Sequence, residues 1–235
     1  MGCKRHNIGF AGWSVPLMAL VALGICEPLQ AREPIRRPVL QESCGLPHPP
    51  QAVLSLSGAQ ASVDFSPGAE GDALILKAIG AARTSIRVQA YSFSDRRIQR
   101  ALGAARARGV DVEVILDKSD AESYAHHRPV AAVISAEGIP VWIDSSVRIA
   151  HNKVMIIDRA DVITGSYNFT YAAAYDNAEN LLYIRNAPAL ARAYLANWNW
   201  RRSCAQPYRG SWLQSGPRRV ASVRDRRRQL DDFQR

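Results

Sequence analysis

Along residues 62–202 the spacing of apolar positions switches between every second residue and every third or fourth. SVDF at 62–65 alternates and predicts a short strand, with SPG after it as a turn. AEGDALILKAIGAAR at 69–83 carries Leu74, Ile75, Ala78, Ile79 and Ala82 at helical spacing, with acids at its start and a base at its end, so it predicts a helix. SIRVQAYSF at 85–93 predicts a strand, DRRIQRALGAARARG at 95–109 a helix capped by Asp95, and VDVEVIL at 110–116 a strand. The stretch 120–138 predicts a helix broken at Pro129, and PVWID at 140–144 a short strand. HNKVMIID at 151–158 and DVITGSYNF at 161–169 predict two strands joined by a tight connection around Arg159, close enough to pair antiparallel. A short helical turn, a strand ENLLYI at 179–184 and a final helix at 187–202 complete the pattern, with Trp198 and Trp200 read as packing residues of that helix.

Strands and helices alternate in the first half, and strands cluster in the second. That order predicts an α/β fold, a mixed β-sheet flanked by helices on both faces, over residues 61–204. Residues 32–60 are rich in Pro, Ser and Gln and lack a period, so they read as a linker or arm.

Charge changes this picture at one end only. The chain has 235 residues and a net charge of +9, yet residues 201–235 alone hold ten Arg against three Asp. The body is therefore nearly neutral, and residues 205–235 read as a basic, disordered tail. Such a tail attracts polyanions, either nucleic acid or an anionic membrane.

The N-terminus has the pattern of an export signal. Lys4 and Arg5 precede the apolar stretch IGFAGWSVPLMALVALGIC, and small residues follow near Ala31. Residues 1–31 are expected to be a signal peptide and the protein periplasmic or secreted. The alternative is an uncleaved membrane anchor, and only in that case is a membrane an expected partner. Removal of the signal leaves two of four cysteines, Cys44 and Cys204, which in an oxidising compartment could bridge the two ends of the mature chain. No CxxC pair or second histidine stands at ligand spacing, so no metal is expected.

The chemistry concentrates in HNKVMIIDRADVITGSYN, residues 151–168. Residues two apart on a strand share a face, so His151 and Lys153 emerge together, as do Ser166 and Asn168. An imidazole, a fixed cation and two neutral donors on one surface suit an anion, especially a phosphate. Glu179, at the start of the next strand, is an acid that could accept the imidazole Nδ1–H. Taken singly, each of these residues has an ordinary structural explanation; their weight lies in their occurrence in one ordered run.

That run resembles the motif of the phospholipase D superfamily: His-x-Lys, four residues, Asp, six residues, Gly-Ser, and Asn two after the Ser. His151, Lys153, Asp158, Gly165, Ser166 and Asn168 all match it. SPG, IRVQAYSF and NAEN with Glu179 extend the resemblance to the small bacterial Nuc-type endonucleases of that family, over roughly residues 62–200. The resemblance implies that His151 attacks phosphorus to form a covalent phosphohistidine. It implies that Lys153 and Asn168 hold the phosphate oxygens with support from Ser166, and that Glu179 orients His151. Asp158 and Gly165 are then structural. No cofactor is implied, because paired His, Lys and Asn side chains supply the charge that a metal would bring.

The family's mechanism uses two such motifs. None of His6, His48, His126 and His127 starts another His-x-Lys run. The resemblance therefore implies a homodimer with the site shared across a two-fold axis. The expected substrate is nucleic acid, DNA and also RNA, given the Nuc-type likeness and the Arg-rich tail. The alternatives are a phospholipid hydrolase or transferase, and a nucleic-acid-binding component of a transfer apparatus with little catalysis. The intact motif argues against the last.

Overall fold

The computed structural model describes residues 44–68, 70–122, 124–125 and 128–210. The expected signal segment, His126, His127 and the tail beyond residue 210 lie outside the described residues.

In chain order the elements are β1 (Gln60–Phe65), α1 (Glu70–Ala81), β2 (Ser85–Ala90), α2 (Arg96–Ala107), β3 (Asp111–Asp117) and α3 (Lys118–Glu122). There follow β4 (Tyr124–Ala125), β5 (Arg128–Pro129), α4 (Val130–Ala136), β6 (Val141–Asp144), β7 (Lys153–Ile157) and β8 (Asp161–Gly165). The last are α5 (Tyr171–Tyr175), β9 (Asn180–Arg185), α6 (Pro188–Cys204) and β10 (Gln206–Pro207). Eight strands form one sheet in the order β1-β9-β8-β7-β2-β3-β6-β10. β2, β3 and β6 run parallel, and the other neighbours pair antiparallel. This is the mixed sheet the pattern predicts.

Helices cover both faces, and the reason is visible residue by residue. On one face α1 contributes Ile75, Ala78 and Ile79, α2 contributes Ile98, Leu102 and Ala105, and α4 contributes Val130, Ala131 and Ile134; all are buried against Val88, Val114, Met155 and Ile163. On the other face α6 lays Ala191 and Trp198 on Ile115, Val154, Ile156 and Val162. Because β7 is covered on both sides, all five of its residues are buried, and its sequence is a continuous apolar run after Lys153 rather than an alternation. The Trp198 indole N–H donates to the Val88 carbonyl at 3.1 Å, which fixes α6 on the sheet.

Three differences from the sequence reading are local. The helix expected over 120–138 is divided: α3 and α4 flank a two-stranded β4-β5 hairpin, because Pro129 cannot continue a helix and instead precedes the first turn of α4. Residues 205–210 do not belong to a tail, since Gln206 and Pro207 pair with Ile143 and Trp142 at the sheet edge. Residues 44–58 have no regular structure but are tied down: Cys44 forms a disulfide with Cys204, and the His48 ring meets Trp200 at 4.4 Å. Among the described residues no helix is long and apolar enough to cross a membrane.

Candidate active site

The β7-β8 hairpin decides where the motif goes. Its register pairs Val154 with Thr164 and Ile157 with Asp161, so the residues before β7 and those after β8 arrive at the same end of the sheet. At the opposite end sits the turn. Asp158 and Arg159 both have positive φ there, at 51° and 56°. The Asp158 carboxylate accepts hydrogen bonds from the amides of Arg83, Thr84 and Ser85 and from the Thr84 hydroxyl, at 2.7–3.2 Å. Burial by itself would raise its pKa, but these donors outweigh burial and hold it below the usual carboxylate value. Asp158 thus clamps the turn to the start of β2.

At the other end His151 is exposed, and no described residue hydrogen-bonds either of its ring nitrogens. Its ring rests against that of Tyr91, with centroids 4.6 Å apart. The Tyr91 amide donates to the Asn152 carbonyl at 2.9 Å, which continues the β2-β7 ladder to the residue beside His151. Lys153 is only 7 % exposed. Its ammonium donates to the His151 carbonyl at 3.0 Å and lies 5.1 Å from the centre of the Tyr91 ring. Burial lowers the Lys153 pKa, and the charge of Glu179 opposes that shift.

Gly165 ends β8 with φ of 148°, and a Cβ there would lie 2.2 Å from the Asn180 carbonyl oxygen. Only glycine permits this approach, and it lets the amides of Ser166 and Tyr167 both donate to that oxygen. The Ser166 hydroxyl donates to Glu179 Oε2 at 2.6 Å and accepts from the Asn180 amide at 3.0 Å. Asn168 stands between Tyr167 and Phe169, each 1 % exposed, which anchor the loop on either side of it. The Asn168 Oδ1 is buried, and neither it nor the side-chain NH2 has a hydrogen-bond partner among the described residues.

The structure therefore brings His151, Lys153, Ser166, Asn168 and Glu179 to one end of the sheet and leaves Asp158 at the other. One expected contact is absent. Glu179 does not hold His151 within this chain. Its carboxylate accepts from Ser166 and, at 3.1 Å, from Asn177, while its backbone is fixed by Ser66 on both sides. Within this chain the carboxylate is turned to Ser166 and Asn177 instead.

Two groups escaped the sequence reading. Asp117, 2 % exposed at the end of β3, accepts from the Ala150 amide at 2.7 Å, and Lys118 donates to the carbonyls of Val147 and Arg148 at 2.8 Å. Together they pin the loop that delivers His151. The other is Tyr91. Asp117 was legible only as an acid at a strand end, and Tyr91 only as part of a strand. Among the described residues no group of three or more His, Cys, Asp or Glu side chains gathers as a metal-binding set.

An exposed imidazole, a buried ammonium and the Asn168 side-chain NH2, which makes no hydrogen bond among the described residues, form a surface that can receive a phosphate diester and offer it a nucleophile. Comparison with known proteins points to the same chemistry. A family model described as "Cardiolipin synthase, PLD-like domain" matches residues 75–200. A curated protein named phospholipase D from Rickettsia typhi is 37% identical over 198 residues, which is 83% of this chain and 94% of that one. The crystal structure of Nuc, a phospholipase D family member from Salmonella typhimurium, is 42% identical and superposes with a TM-score of 0.60, covering 65% of this chain and 99% of its own. NucT from Helicobacter pylori, at 22% identity and a TM-score of 0.50, shares the fold over 64% of this chain and 99% of its own. With a family match over more than half its length and a relative of this identity over most of it, the chain belongs to the phospholipase D superfamily and is a phosphodiesterase.

Proposed function

We propose that this phosphodiesterase is an endonuclease that works without a metal through a phosphohistidine, with its site completed by a second copy of the chain. The observation that carries this reading is the state of His151: exposed, free of hydrogen bonds to the described residues at both ring nitrogens, and set beside the only partly satisfied Lys153 and Asn168. His151 Nε2 attacks phosphorus. The N–P bond forms as the bond to the leaving oxygen breaks, and the partner copy's histidine donates a proton to that oxygen. Water then cleaves the N–P bond and releases the imidazole. Lys153 and Asn168 hold the non-bridging oxygens. Ser166 and Glu179 form the wall that positions Asn180 and the loop around Asn168.

Nucleic acid is favoured by the Nuc-type resemblance and by the eight arginines among residues 209–235; Arg201 and Arg202 are instead paired with Asp144 and Glu113. Export to the periplasm or beyond agrees with the Cys44–Cys204 bridge, which needs an oxidising compartment to persist. A phospholipid diester is the second reading. It is favoured by the Rickettsia relative's name and by the exposed Ile149, Phe65 and Tyr171, each within three residues of His151, Ser66 or Asn168.

Incubation of the purified protein with plasmid DNA, RNA and phospholipid vesicles, each with EDTA, separates the readings. Nicking of DNA in EDTA is expected. Turnover of vesicles alone overturns the nuclease assignment, and loss in chelator with recovery on added Mg²⁺ overturns the metal-free one. For the shared site, wild type is mixed with an equal amount of His151→Ala chain and exchange is verified with two tags. Activity falls to about a quarter if each site needs two intact chains, and to about half if each chain works alone.

A further inference from the structure

We propose that Tyr91 is the positioning residue of this site, holding the His151 imidazole and the Lys153 ammonium through its ring rather than its hydroxyl. The inference rests on the reading of His151 as nucleophile. A nucleophilic imidazole has to be aimed, and a carboxylate commonly does this by accepting one ring N–H. Here the adjacent carboxylate, Glu179, is already engaged by Ser166 and Asn177. Among the described residues Tyr91 is the side chain that touches both reactive groups: its ring centre lies 4.6 Å from that of His151, with the planes 56° apart, and 5.1 Å from the Lys153 ammonium.

The ring suits the task for three reasons. Its backbone is fixed, since the Tyr91 amide donates to the Asn152 carbonyl between the two residues it serves. Its negative face attracts an ammonium, and that attraction strengthens where water is excluded, as it is around a lysine only 7 % exposed. It also limits the tilt of the imidazole while leaving both ring nitrogens free, one for phosphorus and the other for a group from outside the chain. The Tyr91 hydroxyl has no partner among the described residues, so the phenol oxygen contributes nothing to this support.

The test uses the full chain with Tyr91→Phe and Tyr91→Leu, and Tyr91→Met in place of the leucine variant should that one fail to fold. A small chromogenic diester, bis(p-nitrophenyl) phosphate, reports kcat and KM without involving any longer substrate. Tyr91→Phe is expected to keep wild-type kcat. The aliphatic variant is expected to lose about 10- to 100-fold in kcat with much less change in KM, because a misaimed nucleophile slows the chemical step more than it weakens binding. An aliphatic variant with wild-type kcat overturns the proposal. So does a Tyr91→Phe chain as slow as the aliphatic one, since the hydroxyl would then be the working atom. The imidazole C–H resonances of His151 give a readout independent of turnover. They are expected to move on loss of the aromatic ring and to hold in Tyr91→Phe. Unmoved resonances in the aliphatic variant overturn the contact itself. A wild-type chain that cleaves no diester refutes the nucleophile assignment, and the resonances still decide whether Tyr91 holds the ring.

Discussion

The two ends of the β7-β8 hairpin carry polar residues of one motif and treat them in opposite ways. At the turn, Asp158 accepts from three amides and a hydroxyl. At the open end, among the described residues, His151 has no hydrogen bond at its ring and the Asn168 NH2 donates to none, while Lys153 buries a charge against one carbonyl and an aromatic face. A protein stabilises itself by pairing buried polar groups, and each one left unpaired costs about 1–3 kcal/mol. The open end therefore holds in reserve the hydrogen-bonding capacity that a phosphate would use, and the turn supplies rigidity. Loss of a residue should tell the two ends apart: activity should fail at one, stability at the other.

The largest expected effect is His151→Ala. Turnover should fall at least about a thousandfold, as for loss of a nucleophile. Denaturant unfolding should change by no more than about 0.5 kcal/mol, as for an exposed side chain. An equal loss of stability would erase the contrast. Gly165→Ala comes next. It places a Cβ against the Asn180 carbonyl at a φ that side chains rarely adopt, and it should cost about 3 kcal/mol together with the geometry around Ser166. A fully stable alanine variant would mean that the approach of β8 to β9 relaxes freely.

Asp158→Ala should cost about 2–3 kcal/mol by stranding the amides of residues 83–85, while the folded fraction keeps its activity. The pH dependence has a definite sign. The folded-state pKa of Asp158 is depressed, so its contribution is present above the unfolded value of about 4 and is lost as pH falls through the folded value. The stability gap between wild type and Asp158→Asn should therefore narrow in acid below about pH 4. A gap that widens there would reverse the assignment.

The smallest effect on stability, and the sharpest test, is Lys153→Met. The pKa of Lys153 is lowered by burial, so its charged form destabilises the folded chain below the folded pKa. That penalty is relieved as pH rises toward the unfolded value of about 10.4. The methionine variant should be more stable by about 1 kcal/mol at neutral pH and far less active, with the stability difference shrinking in alkali. A destabilised methionine variant would show that Lys153 belongs with Asp158 as a structural residue.

Much of this was written in the sequence because it is local. A period of two or of three to four residues reflects which side chains can reach a core. Hence β2, β3 and β7 and the helices α1, α2 and α6 were placed by pattern, and the spacing of His151, Lys153, Asp158, Gly165, Ser166 and Asn168 put the chemistry at one pair of strands. The sequence also offered Cys44 and Cys204 as partners, since few cysteines remained to choose between. Contacts between distant segments were decided only by the tertiary structure. Glu179 turns to Ser166 because Gly165 lets β8 approach β9 closely, and no local pattern encodes that approach. Asp117 reaches Ala150 across 33 residues, and Tyr91 meets His151 because β2 and β7 are neighbours in the sheet although an entire layer of chain separates them in sequence. Periodicity depends on each residue's own neighbours along the chain. Register, and with it the partner each polar group finds, depends on how all the strands settle together.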